Sequence, residues 1–290
     1  MKNSNQALFA KPPWQVEYDL CDGAHITRLT FQGQDLLTTA PAAFRPPLKD
    51  YGRYETRPVY GYDDCFPTVD ACTAPWDATI ALPDHGELCW SDAWAVVEDR
   101  EGLSFSVNAT IWPARFTRRL VFRDSTLEWH YDVANNADAP LPFIHVAHAL
   151  LPRQHITRID LPPFGELFDE MHGCVLAPPD AHGVAERLLA VPRGAATMLL
   201  LRRVAQGRVT AEFAHGLRLE IGFDPALFPT LGIWWNNGGY PAEAGCRRTE
   251  CAFEPIAGVL SSLSKSLETG PVMTIRPRTA TSWVITWRLS

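Results

Sequence analysis

The stretch Thr126-Leu-Glu-Trp-His-Tyr-Asp-Val-Ala134 alternates without a break. Leu127, Trp129, Tyr131 and Val133 fall on one face of an extended chain, and Glu128, His130 and Asp132 on the other, because successive side chains of a strand point to opposite sides. A strand of this kind buries one face only and belongs in an antiparallel sheet packed on a core. Turn-forming Arg123-Asp-Ser125 and Asn135-Asn-Ala-Asp138 bracket it, and the same punctuation recurs along the chain. Short β-prone runs are expected over 16–21 and 25–31, split by Asp22-Gly23, then over 79–82, 103–111, 116–122, 143–150, 154–160 and 185–191. Further runs follow over 196–201, 209–214, 218–223, 231–235, 251–254, 272–276 and 282–289, and only Ile256 to Leu267 reads as helical. No linker or internal repeat interrupts the pattern. So many strands with so little helix predict an all-β fold, a large antiparallel β-sandwich, in a single domain over residues 1–290.

With 290 residues, 46% of them hydrophobic and 20% charged, the chain can bury a large core. A formal charge of −7 with no Lys/Arg cluster argues against nucleic acid or an anionic membrane as partner. Apolar runs such as Ala195 to Leu201 are too short to span a bilayer, and Met1 to Trp14 lacks a signal-peptide core. Seven scattered cysteines, with no C-x-x-C pair, suit reduced thiols in a cytoplasm better than a disulfide framework. The region from Thr38 to Asp77 is rich in Pro, Tyr and Asp and reads as a long functional loop.

Three places carry candidate chemistry. Pro83-Asp-His-Gly86 is a turn able to hold His85 at the rim of a sheet, with Trp90 and Trp94 nearby as flat apolar surfaces of the kind that stack on sugars. Phe143-Ile-His-Val-Ala-His-Ala-Leu-Leu-Pro-Arg153 contains His145 and His148, whose spacing of three sends them to opposite faces of a regular strand. A zinc site built from His85, His145 and His148 is therefore disfavoured, and no metal is expected. Near the C-terminus, Glu254 ends an apolar run and is followed by Pro255. A carboxylate so placed should have a raised pKa or a partner, which makes it a candidate general base, the alternative being a rim pairing with Arg247 or Arg248.

The order of these motifs resembles the aldose 1-epimerase (galactose mutarotase-like) superfamily. Cys65-Phe-Pro67, Pro83-Asp-His-Gly86, Leu141-Pro-Phe-Ile-His-Val-Ala-His148, Leu231-Gly-Ile-Trp-Trp235 and Phe253-Glu-Pro255 carry the resemblance, with Leu267-Glu-Thr-Gly270 and Ser282-Trp-Val-Ile-Thr-Trp287 fitting the last strands. It implies a β-supersandwich and cofactor-free interconversion of the α and β anomers of a monosaccharide. Glu254 would take the proton of the C1 hydroxyl, His148 would protonate the ring oxygen, and His85 would hold that side of the sugar. Asp70, Glu87, Trp90, Trp235 and Asn237 are the expected sugar contacts, and Asp64 or Asp224 the candidates for a sugar-binding aspartate. Asp70-Ala71 and Glu87 to Trp90 stand where the family often has arginines, which should change the sugar accepted. A non-catalytic carbohydrate-binding protein on the same sandwich is the competing expectation.

Overall fold

The computed structural model describes residues 6–40, 54, 59–177, 180–241 and 247–290. Its largest sheet has eight antiparallel strands in the order Ile156–Asp160, Arg208–Phe213, Arg218–Gly222, Ala280–Leu289, Thr126–Asn135, Ala114–Phe122, Gly102–Asn108 and Ala95–Glu98. The alternation in Thr126–Asn135 is realised: Leu127, Trp129, Tyr131 and Val133 are buried, while the residues between them reach the outer face. Transfer of those faces from water is the main favourable term in folding.

Opposite this sheet lie two smaller ones. The first runs Gln6–Lys11, Trp14–Asp19, His25–Phe31, Tyr62–Cys65 and Val146–Ala149, with the short strand Gln34–Asp35 paired on His25–Phe31. The second runs Cys174–Leu176, Glu166–Asp169, Ala196–Arg202, Thr230–Asn237 and Thr249–Ile256. Their edge strands meet. Leu151 and Cys251 exchange two backbone hydrogen bonds, of 2.7 and 3.0 Å, in an antiparallel bridge that joins the two sheets along a seam. One core, including Trp14, Tyr62, Phe105, Trp129, Leu201, Ile233 and Trp287, draws on all three sheets. This is an all-β sandwich, as the strand pattern predicts.

Four local expectations are corrected. Residues 185–191 belong to a helix, Ala181–Leu189, in which Val184, Ala185 and Leu188 form the buried face and Asp180 caps the N-terminus through Gly183 N–H; a short apolar run does not distinguish a buried helix turn from a strand. The C-terminal helix is Leu263–Thr269, with residues up to Ile256 still in a strand. The run 143–150 is two strands, Leu141–Phe143 and Val146–Ala149, in different sheets. The supposed loop 38–77 contains the strands Tyr62–Cys65 and Cys72–Ala74, although Phe44 to Pro47 lie outside the described residues. Two adjacent aspartates disguise Tyr62–Cys65, yet both are buried with bonded carboxylates. Gln6–Lys11 is an additional strand. No helix among the described residues is long and apolar enough to cross a membrane.

Candidate active site

The seam between the two smaller sheets is where the candidate residues converge, and backbone register places them there. Tyr62–Cys65 pairs with Val146–Ala149 so that Asp63 faces His148 and Cys65 faces Val146. Alternation puts Asp63, Cys65 and His148 on one side and Asp64 on the other. A parallel bridge between Phe66 and Gly86, stepped back by one residue, aligns Cys65 with His85. The antiparallel bridge between Leu151 and Cys251, followed three residues along each strand, aligns His148 with Glu254.

The Pro83–Gly86 turn closes through Gly86 N–H to Pro83 O at 2.9 Å, and His85 takes the left-handed conformation at φ 60°. A non-glycine residue held there is strained, and such strain persists only where the surroundings over-determine it. They do: a Cβ on Gly86 would meet Phe66 O at 2.1 Å, so no side chain fits at the turn's exit. Asp84 Oδ1 lies 2.9 Å from His85 Nδ1, Asp84 Oδ2 accepts from Tyr54 N–H at 2.7 Å, and Trp90 Nε1 donates to Asp84 O at 3.2 Å. Burial works to raise the Asp84 carboxyl, but the bond to His85, its charge and the Tyr54 amide outweigh it and hold Asp84 below the usual range. The Tyr54 ring stacks on His85 at 3.7 Å and 8°.

His148 is 6% exposed, and its ring centroid lies 5.1 Å from that of His85. Tyr54 O–H donates to Asp63 Oδ2 at 2.5 Å, and its oxygen also lies 3.4 Å from His148 Nδ1. With its proton given to Asp63, the tyrosine accepts from Nδ1–H, which leaves Nε2 as the working nitrogen. That nitrogen stands 3.6 Å from Glu254 Oε1. Glu254 is 3% exposed. Burial pushes its carboxyl up to about 7, with His85 pulling it down and Glu170 pushing it further up.

Tyr54, His85, His148 and Glu254 open onto a cavity of about 270 Å³, lined also by Asp70, Glu170, Met171, Trp234, Tyr240 and Arg248. Glu170 accepts from Ser261 N–H at 2.7 Å and from Ser261 O–H at 2.6 Å. Of the other expected contacts, Asp70 lines the cavity, and Trp90 supports the His85 turn from behind without being among the lining residues. Glu87 lies elsewhere: it is buried and accepts from the N–H groups of Thr110, Ile111 and Trp112 and from the Thr110 hydroxyl. A carboxylate carrying four donors is spent on holding backbone. Trp235 is fully buried beneath Arg153, and its neighbour Trp234 faces the cavity, because adjacent strand residues alternate. Asn237 donates to Val191 O at 2.8 Å, beside a different depression.

Asp224 caps a turn through Ala226 N–H. Asp64 sits in the core, bonded to Arg118, Tyr62 and His145 Nε2. His145 therefore points into the core, away from His148, although it lies between two strands and not on the single regular strand from which the divergence was expected. Among the described residues the ion-pair partner of Glu254 is His148, and neither Arg247 nor Arg248, the latter bound to Glu250 at 3.3 Å, makes the rim pairing considered as its alternative. Sequence reasoning missed Tyr54, Glu170 and Tyr240, which sit in loops or strand ends that carry no periodic signal. Cys65, His85 and His148 come together with potential ligand atoms all within 4.8 Å of one another.

No protein-family model and no curated protein matches the chain. Solved structures do match. A protein of Synechocystis sp. PCC 6803 shares 18% identity, with 100% of this chain and 96% of that one covered at a TM-score of 0.75. A galactose mutarotase-like protein from Clostridium acetobutylicum shares 15% over 98% and 94%, at 0.70. The GalM/aldose epimerase homologue from C. elegans shares 16% over 99% and 99%, at 0.67. At these identities the likeness is one of architecture, and it extends over nearly the whole chain: the protein has the galactose mutarotase-like β-sandwich fold.

Proposed function

We propose that the protein is an aldose 1-epimerase-like enzyme that interconverts the α and β anomers of a monosaccharide by general acid–base ring opening. The observation that carries this reading is the pairing of His148 Nε2 with Glu254 Oε1 at 3.6 Å, with the Glu254 carboxyl near 7. The anomeric hydroxyl and the ring oxygen hang on the same carbon, so an acid and a base that serve both must stand side by side. A base works best with a pKa near the working pH, and burial brings Glu254 there.

In the proposed cycle ionised Glu254 takes the proton of the C1 hydroxyl while His148, starting as the imidazolium with Nδ1–H kept on Tyr54, delivers its Nε2 proton to the ring oxygen. The C1–O5 bond breaks, C1 becomes the aldehyde carbon, and rotation about C1–C2 turns the other face toward O5. The reverse transfers close the ring as the other anomer and restore both groups. His85, fixed by Asp84 and stacked under Tyr54, holds the ring-oxygen side. Trp234 and Tyr240, edge to face at 5.4 Å, offer apolar surface for the sugar's C–H face.

The test is polarimetry of freshly dissolved α-anomers of several sugars with and without protein. Acceleration of at least one, saturable in sugar, is the expected result; water-level rates throughout would reject the enzyme. Sugar binding without acceleration would leave the non-catalytic carbohydrate-binding reading, which the same aromatic wall favours.

A further inference from the structure

We infer that Cys65, His85 and His148 form a binding site for a borderline-soft divalent cation of the zinc class, which occupies the sugar site and excludes the sugar from it. The trio comes from three separate elements: the strand Tyr62–Cys65, the Pro83–Gly86 turn and the strand Val146–Ala149. Their convergence follows from the two backbone registers described above. The potential ligand atoms lie within 4.8 Å of one another. A tetrahedral zinc ion with bonds of about 2.0–2.3 Å needs ligand–ligand distances of roughly 3.3–3.7 Å. For a separation at the 4.8 Å limit, a shift of roughly 0.5–0.8 Å by each of the two groups closes the difference.

Two further features fit a cation at this place. Asp84 Oδ1 holds His85 Nδ1 at 2.9 Å, the carboxylate–histidine arrangement that orients a metal-bound imidazole and strengthens it as a donor. Glu254 stands 3.6 Å from His148, within reach to become a fourth, anionic ligand. One thiolate, two imidazoles and a carboxylate suit zinc or cobalt and disfavour magnesium or calcium. The Cys65 thiol is pushed well above its ordinary pKa, by burial first and then by Cys89, Glu254, Asp63 and Asp64. A cation must therefore displace its proton on binding. The same nitrogens and carboxylate are those assigned to the sugar reaction, so metal and sugar compete. That consequence rests on the proposed function; the metal site itself does not.

The experiment titrates zinc chloride into the full-length, chelator-treated protein by calorimetry, and cobalt chloride in parallel by absorption. Expected are one equivalent of metal and, with cobalt, a thiolate charge-transfer band in the near ultraviolet beside tetrahedral bands in the visible. Cys65→Ser should remove the charge-transfer band and weaken binding by more than about 100-fold, beyond the 10–100-fold drop expected for the supporting Asp84→Asn. Cys21→Ser and Cys174→Ser, at exposed thiols, should change neither. A wild-type protein without the thiolate band, or a band that survives Cys65→Ser, overturns the site; the wild-type spectrum decides even if Cys65→Ser fails to fold. Competition is read separately as weaker sugar binding in zinc, restored by chelator. Protein that binds metal through Cys65 yet never accelerates anomer exchange would overturn the proposed function and leave the metal site standing.

Discussion

His148 Nε2 faces Glu254 Oε1 at 3.6 Å across a seam between two sheets, and the contact is set by a single backbone bridge. Leu151 and Cys251 bond to each other in both directions, and counting three residues back along one strand and three forward along the other brings the pair into register. The acid and base of the proposed reaction are thus held by main-chain geometry, which is more rigid than a contact between two loops.

Glu254→Gln keeps the shape and removes the proton acceptor. Anomer exchange is expected to fall by about two orders of magnitude or more while sugar affinity survives. Polarimetry and calorimetry on the same sample check this. Equal losses in rate and affinity would make Glu254 a sugar-holding residue.

The pH dependence of stability has a definite sign. Glu254 ionises near 7 when folded, above the ordinary glutamate value of 4.5. Between those values the native state holds more protons than the unfolded state, so this group's contribution to stability falls as pH rises through the window. Melting temperatures of the wild type should therefore lose ground to those of Glu254→Gln from about pH 4.5 to about 7 and run parallel outside it. Parallel curves throughout would place the Glu254 pKa at its ordinary value. In the same range, exchange by the wild type should rise as Glu254 loses its proton.

Tyr54→Phe removes the hydroxyl between Asp63 and His148 and keeps the ring stacked on His85. Loss of that hydrogen bond is expected to lower kcat about tenfold and to move the limb of the pH–rate profile belonging to His148, with KM nearly unchanged. Tyr54→Ala, which also unstacks His85, should raise KM as well. A Tyr54→Phe profile superimposable on the wild type would rule out a positioning role for the hydroxyl.

Glu87→Ala strands the N–H groups of Thr110, Ile111 and Trp112. The expected cost is about 3 kcal/mol or more in urea denaturation, since each orphaned buried donor costs on the order of 1–3 kcal/mol. The pH–rate profile of the surviving folded protein should be unaltered. A shifted profile would return Glu87 to the sugar site.

From the sequence alone the fold class was legible, because a period of two with one buried face admits little besides an antiparallel sandwich. Thr126–Asn135 shows it most plainly; the misreadings were local, the helix at 185–191, the bounds of the C-terminal helix, the break within 143–150 and the strands hidden in the region 38–77. A Pro–Gly turn, a histidine closing an apolar run and a Glu-Pro also singled out His85, His148 and Glu254, and the structure brings these three to one cavity. His145 and His148 do diverge, but because the chain breaks between two strands at 144–145 and not because side chains alternate along one strand.

Tertiary structure alone decided the rest. Whether a carboxylate faces solvent, sugar or backbone depends on what crosses it from distant parts of the chain, which local pattern does not encode. Glu87 meets the Thr110–Trp112 backbone, Asp64 meets Arg118, and Glu254 meets His148. The choice between Trp234 and Trp235 turned on one residue of strand register. Tyr54 and Cys65 joined the site through pairings of chain segments that sequence periodicity cannot specify, because period sets which face a side chain takes and not which strand lies beside it.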